Sequence, residues 1–173
     1  MSIFKITKAM YDRPSIKNTA NYLLGKKDFE GYDAGCLGVY TGNMASNPLD
    51  ANALADEIML HHKLCGLTGN VRAVHAFIDF NGQVSSKTAC VIARACGQFW
   101  TQKYVAWVYG LHLYKGDPPY LWPHVHFLIS SRIMAGSYAG MVLQFDKELI
   151  LEFDYFINKI LEKNGAERIN IIM

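Results

Sequence analysis

No stretch of the chain is apolar for long enough to cross a bilayer, and the opening residues MSIFKITKAMYDRP lack the extended apolar segment of a secretory signal. The four cysteines, Cys36, Cys65, Cys90 and Cys96, form no C-x-x-C pair and no dense framework. A disulfide scaffold and a thiolate metal site are therefore excluded, and the cysteines read as reduced residues of a reducing compartment. There is no Pro/Ser/Gly-rich tract and no run of like charge, so a disordered arm is not expected. Charge of one sign is also scarce: the formal net charge is +2, which argues only weakly for a polyanionic partner. What remains is a chain of 173 residues, 51% of them hydrophobic, enough for one core. These features predict a single cytoplasmic domain spanning residues 1–173, with no membrane insertion.

The charge is unevenly spread. Residues 1–30 carry Lys5, Lys8, Arg13, Lys17, Lys26 and Lys27 against Asp12, Asp28 and Glu30, a local basic excess absent from the acidic-leaning segment after Ser131. If a polyanion binds, the first thirty residues are where it would do so. A solvated helix face explains the same charges equally well.

Periodicity predicts a short strand over Ser2 to Lys8, then a helix from about Ile16 to Leu24, started by Pro14 and Ser15 and stopped by Gly25. Lys26 to Pro48 reads as a long loop with a hairpin around Leu37 to Thr41. Asp50 is the expected N-cap of a helix reaching Leu64. VRAVHAFIDF is apolar on both faces apart from His75 and Asp79 and reads as a central strand. Ser85 or Ser86 starts a helix to about Trp100. Tyr104 to Tyr114 and His124 to Ser130 read as an antiparallel pair turning at Gly116, Asp117, Pro118 and Pro119. A turn follows, then an amphipathic helix over Phe145 to Lys163 and a final strand over Arg168 to Met173. The expected architecture is α+β, a central antiparallel sheet of about five strands covered by helices.

The chemistry concentrates in Pro123-His124-Val125-His126. Side chains two apart on a strand project to one face, so the two imidazoles stand together, and a hairpin returning across Gly116 to Pro119 would set His112 beside them. Three imidazoles on one side of a sheet leave open positions on a divalent cation, the arrangement a catalytic metal needs. An isolated H-x-H is more often a pair of satisfied core histidines; the third histidine changes that balance. His75 and Asp79 are candidates for groups that orient the ligands, with a satisfied core histidine the simpler account of His75. His61 and His62, late in a helix, read as residues on a solvated face.

With those residues in view, GLHLYKGDPPYLWPHVHFLIS resembles the third motif of conjugative relaxases, the mobilization nucleases of the histidine-hydrophobe-histidine endonuclease class. That motif has one histidine on a first strand, a variable turn, then a proline and H-x-H, places filled here by His112, Pro123, His124 and His126. Asn21-Tyr22-Leu23 resembles the helical context in which the family carries its single N-terminal nucleophilic tyrosine. The chain differs in its mild charge and in having no large helicase or primase region within its 173 residues. The resemblance implies metal-dependent, strand-specific DNA nicking and rejoining through a 5′-phosphotyrosine, in mobilization of plasmid or integrative element DNA. It implies Tyr22 as nucleophile and His112, His124 and His126 as ligands of Mn²⁺ or Mg²⁺, with Zn²⁺ or Ni²⁺ as alternatives. The implied partners are single-stranded DNA at an origin of transfer, an accessory DNA-binding protein and the coupling protein of a secretion system.

A phenol has a pKa near 10 and attacks phosphate only where charge and geometry assist it. Tyr11 is the second choice of nucleophile. Lys17, Lys26, Lys27 and Tyr32 are the candidate DNA-binding residues, combining positive charge with an aromatic surface for stacking. Two other readings stay open. One is a single-tyrosine transposase or replication initiator, whose tyrosine follows the histidines and would here be Tyr155. The other is a non-catalytic DNA-binding relative that keeps the histidines without the chemistry.

Overall fold

The computed structural model describes residues 2–25, 36–66, 71–80, 82, 84–115, 120–165 and 168–172. The chain begins with strand β1 (Ser2–Met10) and helix α1 (Arg13–Leu23), followed by β2 (Cys36–Gly42) and α2 (Ala51–Leu64). Next come β3 (Ala73–Asp79), α3 (Ser86–Gln102), β4 (Val105–Lys115), β5 (Tyr120–Ile133), α4 (Lys147–Lys163) and β6 (Ile169–Ile172). One sheet holds all six strands in the order β2-β4-β5-β3-β1-β6. The first five pair antiparallel, and β6 runs parallel to β1. The α+β sheet covered by helices is as the sequence predicts; the expected final strand joins it parallel to β1, and β2 is the strand that the sequence reading takes for a loop.

Local chemistry explains the helix starts. Asp12 caps α1, its carboxylate accepting the Ser15 N–H at 2.8 Å, and that bond holds Asp12 below the usual carboxylate range. The helix therefore starts earlier than Ile16, because Pro14 fits the first turn, where a missing N–H costs nothing. Asp50, Ser85 and Asp146 cap the other three helices through the same kind of bond.

Two departures from the sequence reading come from distant pairing. Residues around Leu37 to Thr41 do not form a hairpin; they are part of β2, whose Val39 and Tyr40 pair with Gly110 and Tyr109 of β4. Likewise β5 runs past Ser130 to Ile133, since Ser131 is bonded through its backbone to Arg72 and Leu143 on either side. The turn at Gly116 to Pro119 lies outside the described residues.

The sheet's two faces carry separate cores. On one, α3 and α4 cover Phe4, Ile78, Tyr109, Val125, Phe127 and Ile129, with Trp100 and Phe153 stacked at 5.0 Å. Each large apolar side chain buried there contributes about 1.5–3 kcal/mol. On the other, Ile16, Ala20 and Leu23 of α1 and Leu54, Ala55 and Ile58 of α2 cover Met10, Ala73, Val108 and Leu128. Strand alternation assigns His112, His124 and His126 to this second face.

His62 corrects the expectation of a solvated histidine: it is fully buried. Its Nε2 donates to the Arg72 carbonyl at 2.8 Å, and its Nδ1 accepts from Arg132 Nε at 3.4 Å. Burial, together with charge repulsion from Arg132, Arg72 and His61, lowers its pKa to about 4 from the ordinary 6.5. Below pH 6.5 the unfolded chain takes up a proton that the folded protein refuses. Stability is therefore expected to fall as pH drops from about 6.5 to about 4. Urea midpoints followed across that range should fall less steeply in His62→Gln, which keeps a donor for Arg72 and does not titrate.

Candidate metal and nucleophile site

His124 and His126 alternate with the core residues Val125 and Phe127 on β5, and His112 of β4 lies directly opposite His124 in the strand register. All three imidazoles are buried, and a ligand nitrogen from each lies within 4.8 Å of the others. Ring centroids stand 5.3 Å apart for His112–His124, 4.9 Å for His112–His126 and 5.0 Å for His124–His126. Three buried histidines are thus positioned to bind a metal ion.

Each ring is oriented by the fold. His124 Nδ1 donates to the Trp122 carbonyl at 2.7 Å, which leaves Nε2 with its lone pair. The Trp122 indole N–H in turn donates to Asp79 Oδ1 at 2.6 Å, so Asp79 supports this ring through the tryptophan. His126 Nδ1 lies 3.0 Å from His75 Nε2, and His75 Nδ1 lies 2.6 Å from the Thr7 hydroxyl. Burial, with repulsion from Lys8 and His112, holds the His75 pKa down to about 4, so near neutral pH the ring is uncharged. His112 Nε2 donates to the Leu23 carbonyl at 2.9 Å. Neutral rings each keeping one unprotonated nitrogen are the donor set that divalent transition metals take, so the residues fit such an ion.

The bond from His112 is also what places Tyr22. Leu23 ends α1, and its carbonyl oxygen sits against Gly110, where an added Cβ would meet it at 2.2 Å. Glycine there lets the helix end rest on the sheet. Tyr22, one residue earlier, has its ring centroid 4.8 Å from His126 and 5.7 Å from His112, and its hydroxyl lies 3.4 Å from His126 Nε2. It remains 38% exposed, so a ligand can reach it.

Tyr22, His112, His124, His126 and His75 therefore come together, with Asp79 one residue removed. Tyr11 is exposed and precedes the N-cap of α1, at the opposite end of the helix from Tyr22. Tyr155 is 69% exposed on α4, which packs on the opposite face of the sheet, so it has no approach to the histidines. Lys17 is half-buried on α1. Lys26, Lys27 and Tyr32 lie outside the described residues, as does the Cys36 side chain; Cys65, Cys90 and Cys96 are free thiols. Sequence reasoning missed Gly110 and Thr7. A glycine amid the bulky strand AWVYGLHLY was a visible sign of close backbone approach; nothing in the sequence marked Thr7.

No family model matches the sequence, and no curated protein matches it. Among solved structures, the fold is similar to one described as the molecular basis of vancomycin resistance transfer in Staphylococcus aureus. The TM-score is 0.59 over 99% of each chain, at 14% identity. At that identity the likeness is one of fold. No helix among the described residues is long and apolar enough to cross a membrane.

Gly110→Ala is expected to lift the end of α1 from the sheet. A stability loss of about 1–3 kcal/mol in urea denaturation is anticipated, with faster amide exchange at Leu23 to Gly25.

Proposed function

We propose that the protein is a metal-dependent DNA-nicking and rejoining enzyme of the relaxase kind, with Tyr22 as nucleophile. The observation that carries this reading is the Tyr22 hydroxyl beside three converging imidazoles, 3.4 Å from His126 Nε2. The whole-chain fold likeness to a structure concerned with resistance transfer in S. aureus supports it, as does the spacing of His112, His124 and His126 in the sequence.

His112, His124 and His126 would hold the metal, which supplies positive charge to a scissile phosphate and to the transition state. The Tyr22 oxygen attacks phosphorus, and its proton is released to the solvent that reaches this partly exposed side chain. The phosphorus–O3′ bond breaks, and the departing 3′ oxygen takes up a proton. The product is a phosphotyrosine that keeps the energy of the phosphodiester, so a 3′ hydroxyl can reverse the step and reseal the strand. Seating α1 on the sheet through Leu23 and His112 keeps the phenol at the histidines without an ordering cost at each turnover. The substrate is single-stranded DNA at an origin of transfer, and the setting is mobilization of plasmid or integrative DNA. Mn²⁺ or Mg²⁺ is the preferred ion.

The test is covalent capture. Labelled single-stranded oligonucleotides spanning neighbouring intergenic DNA are incubated with Mn²⁺ or Mg²⁺, and a denaturant-resistant shifted band is expected. Tyr22→Phe should abolish the band and Tyr155→Phe should leave it. The opposite result would favour a transposase-like enzyme. His124→Ala is expected to weaken metal binding by more than about 100-fold, since removing a ligand costs more than removing a group behind it. Calorimetry measures this directly. A wild-type protein that takes up no divalent ion and captures no DNA would leave only a non-catalytic role.

A further inference from the structure

Thr7 has no pairing partner across the sheet. Ile6 pairs with Ala76 and Lys8 with His75, so Thr7 is the extra residue of a β-bulge in β1. A bulge interrupts the ladder and re-aims the side chain it carries, and bulges recur beside functional sites. Here the re-aimed hydroxyl meets His75 twice, 2.6 Å from Nδ1 and 3.2 Å from the carbonyl oxygen of the same residue.

A threonine hydroxyl has one hydrogen and can accept at its oxygen. If the hydrogen goes to the His75 carbonyl, the contact with Nδ1 is the ring's own N–H donating into the hydroxyl. His75 Nε2 then carries a lone pair and accepts from His126 Nδ1–H across 3.0 Å. The lone pair of His126 is left on Nε2, the atom facing Tyr22. Run the other way, the chain would put a hydrogen on that atom, and His126 could not be a ligand through it.

We infer that Thr7 is a positioning residue which, through His75, holds His126 as the Nδ1–H tautomer with Nε2 open to a metal. The inference rests on the metal-binding part of the reading above and extends it to a residue that touches neither metal nor substrate. Partners behind a ligand imidazole set its tautomer, and their loss costs about 10–100-fold in metal affinity. Valine has nearly the shape of threonine and cannot accept a hydrogen bond; serine can.

Two measurements on the intact protein decide it. The first is a long-range ¹H–¹⁵N spectrum of metal-free protein near neutral pH, with His75 and His126 assigned by single substitution. Both rings are expected as Nδ1–H tautomers in the wild type and in Thr7→Ser, with His75 shifted toward the other tautomer in Thr7→Val. The second is calorimetric titration with Mn²⁺. Thr7→Val should bind about 10–100-fold more weakly and Thr7→Ser close to wild type. An Nε2–H tautomer at His75 in the wild type, unchanged Mn²⁺ binding in Thr7→Val, or equal loss in both variants would overturn the inference. If the wild type takes up no Mn²⁺, the metal reading falls by itself, while the spectrum still judges the hydrogen-bond chain.

Discussion

A buried hydrogen bond ties the two halves of the site together: His112 Nε2 donates to the Leu23 carbonyl at 2.9 Å. It lies at the buried seam where the end of α1 meets the sheet, and it exists because Gly110 leaves the carbonyl room to descend. A helix-end carbonyl buried in such a place carries a desolvation cost unless a donor meets it. His112 removes that cost and at the same time locks Tyr22 over the imidazoles. The ring that would bind a cation also anchors the helix bearing the phenol, so the two cannot drift apart independently.

Around that seam the sheet provides rigidity. β4 and β5 are flanked by β2 and β3, and on the far face α3 and α4 bury the side chains that alternate with the histidines. Ligands mounted on such strands hold their geometry better than ligands on loops. The outward supports differ from ring to ring. A backbone carbonyl holds His124, a helix end holds His112, and another imidazole holds His126. Neutral groups do most of this work. The Asp79 carboxylate reaches the site through the Trp122 indole and backbone.

Much of this is legible in the sequence. Pro14 with Ser15, Asp50 and Ser85 mark three helix starts in the sequence, and apolar spacing marks all four helices along their length; the caps Asp12 and Asp146 emerge only from the structure. Period-2 spacing put His124 and His126 on one face, and the turn residues after Lys115 suggested the return that brings His112 alongside. β2 was obscured because its partner lies some seventy residues later, and local composition there favours a loop. His62 looked solvated because helix-end position says nothing about Arg132, contributed by a distant strand.

The sequence by itself determined which residues could do chemistry and on which side of their own element each would stand, since those properties follow from residue type and from the fixed periods of strand and helix. Only the tertiary structure decided that Tyr22, rather than Tyr11 or Tyr155, meets the histidines, and that Thr7 is turned toward His75. Those outcomes depend on strand order, on a bulge in β1 and on a glycine beneath a helix end. Such contacts span up to about a hundred residues of sequence, and no local propensity encodes them.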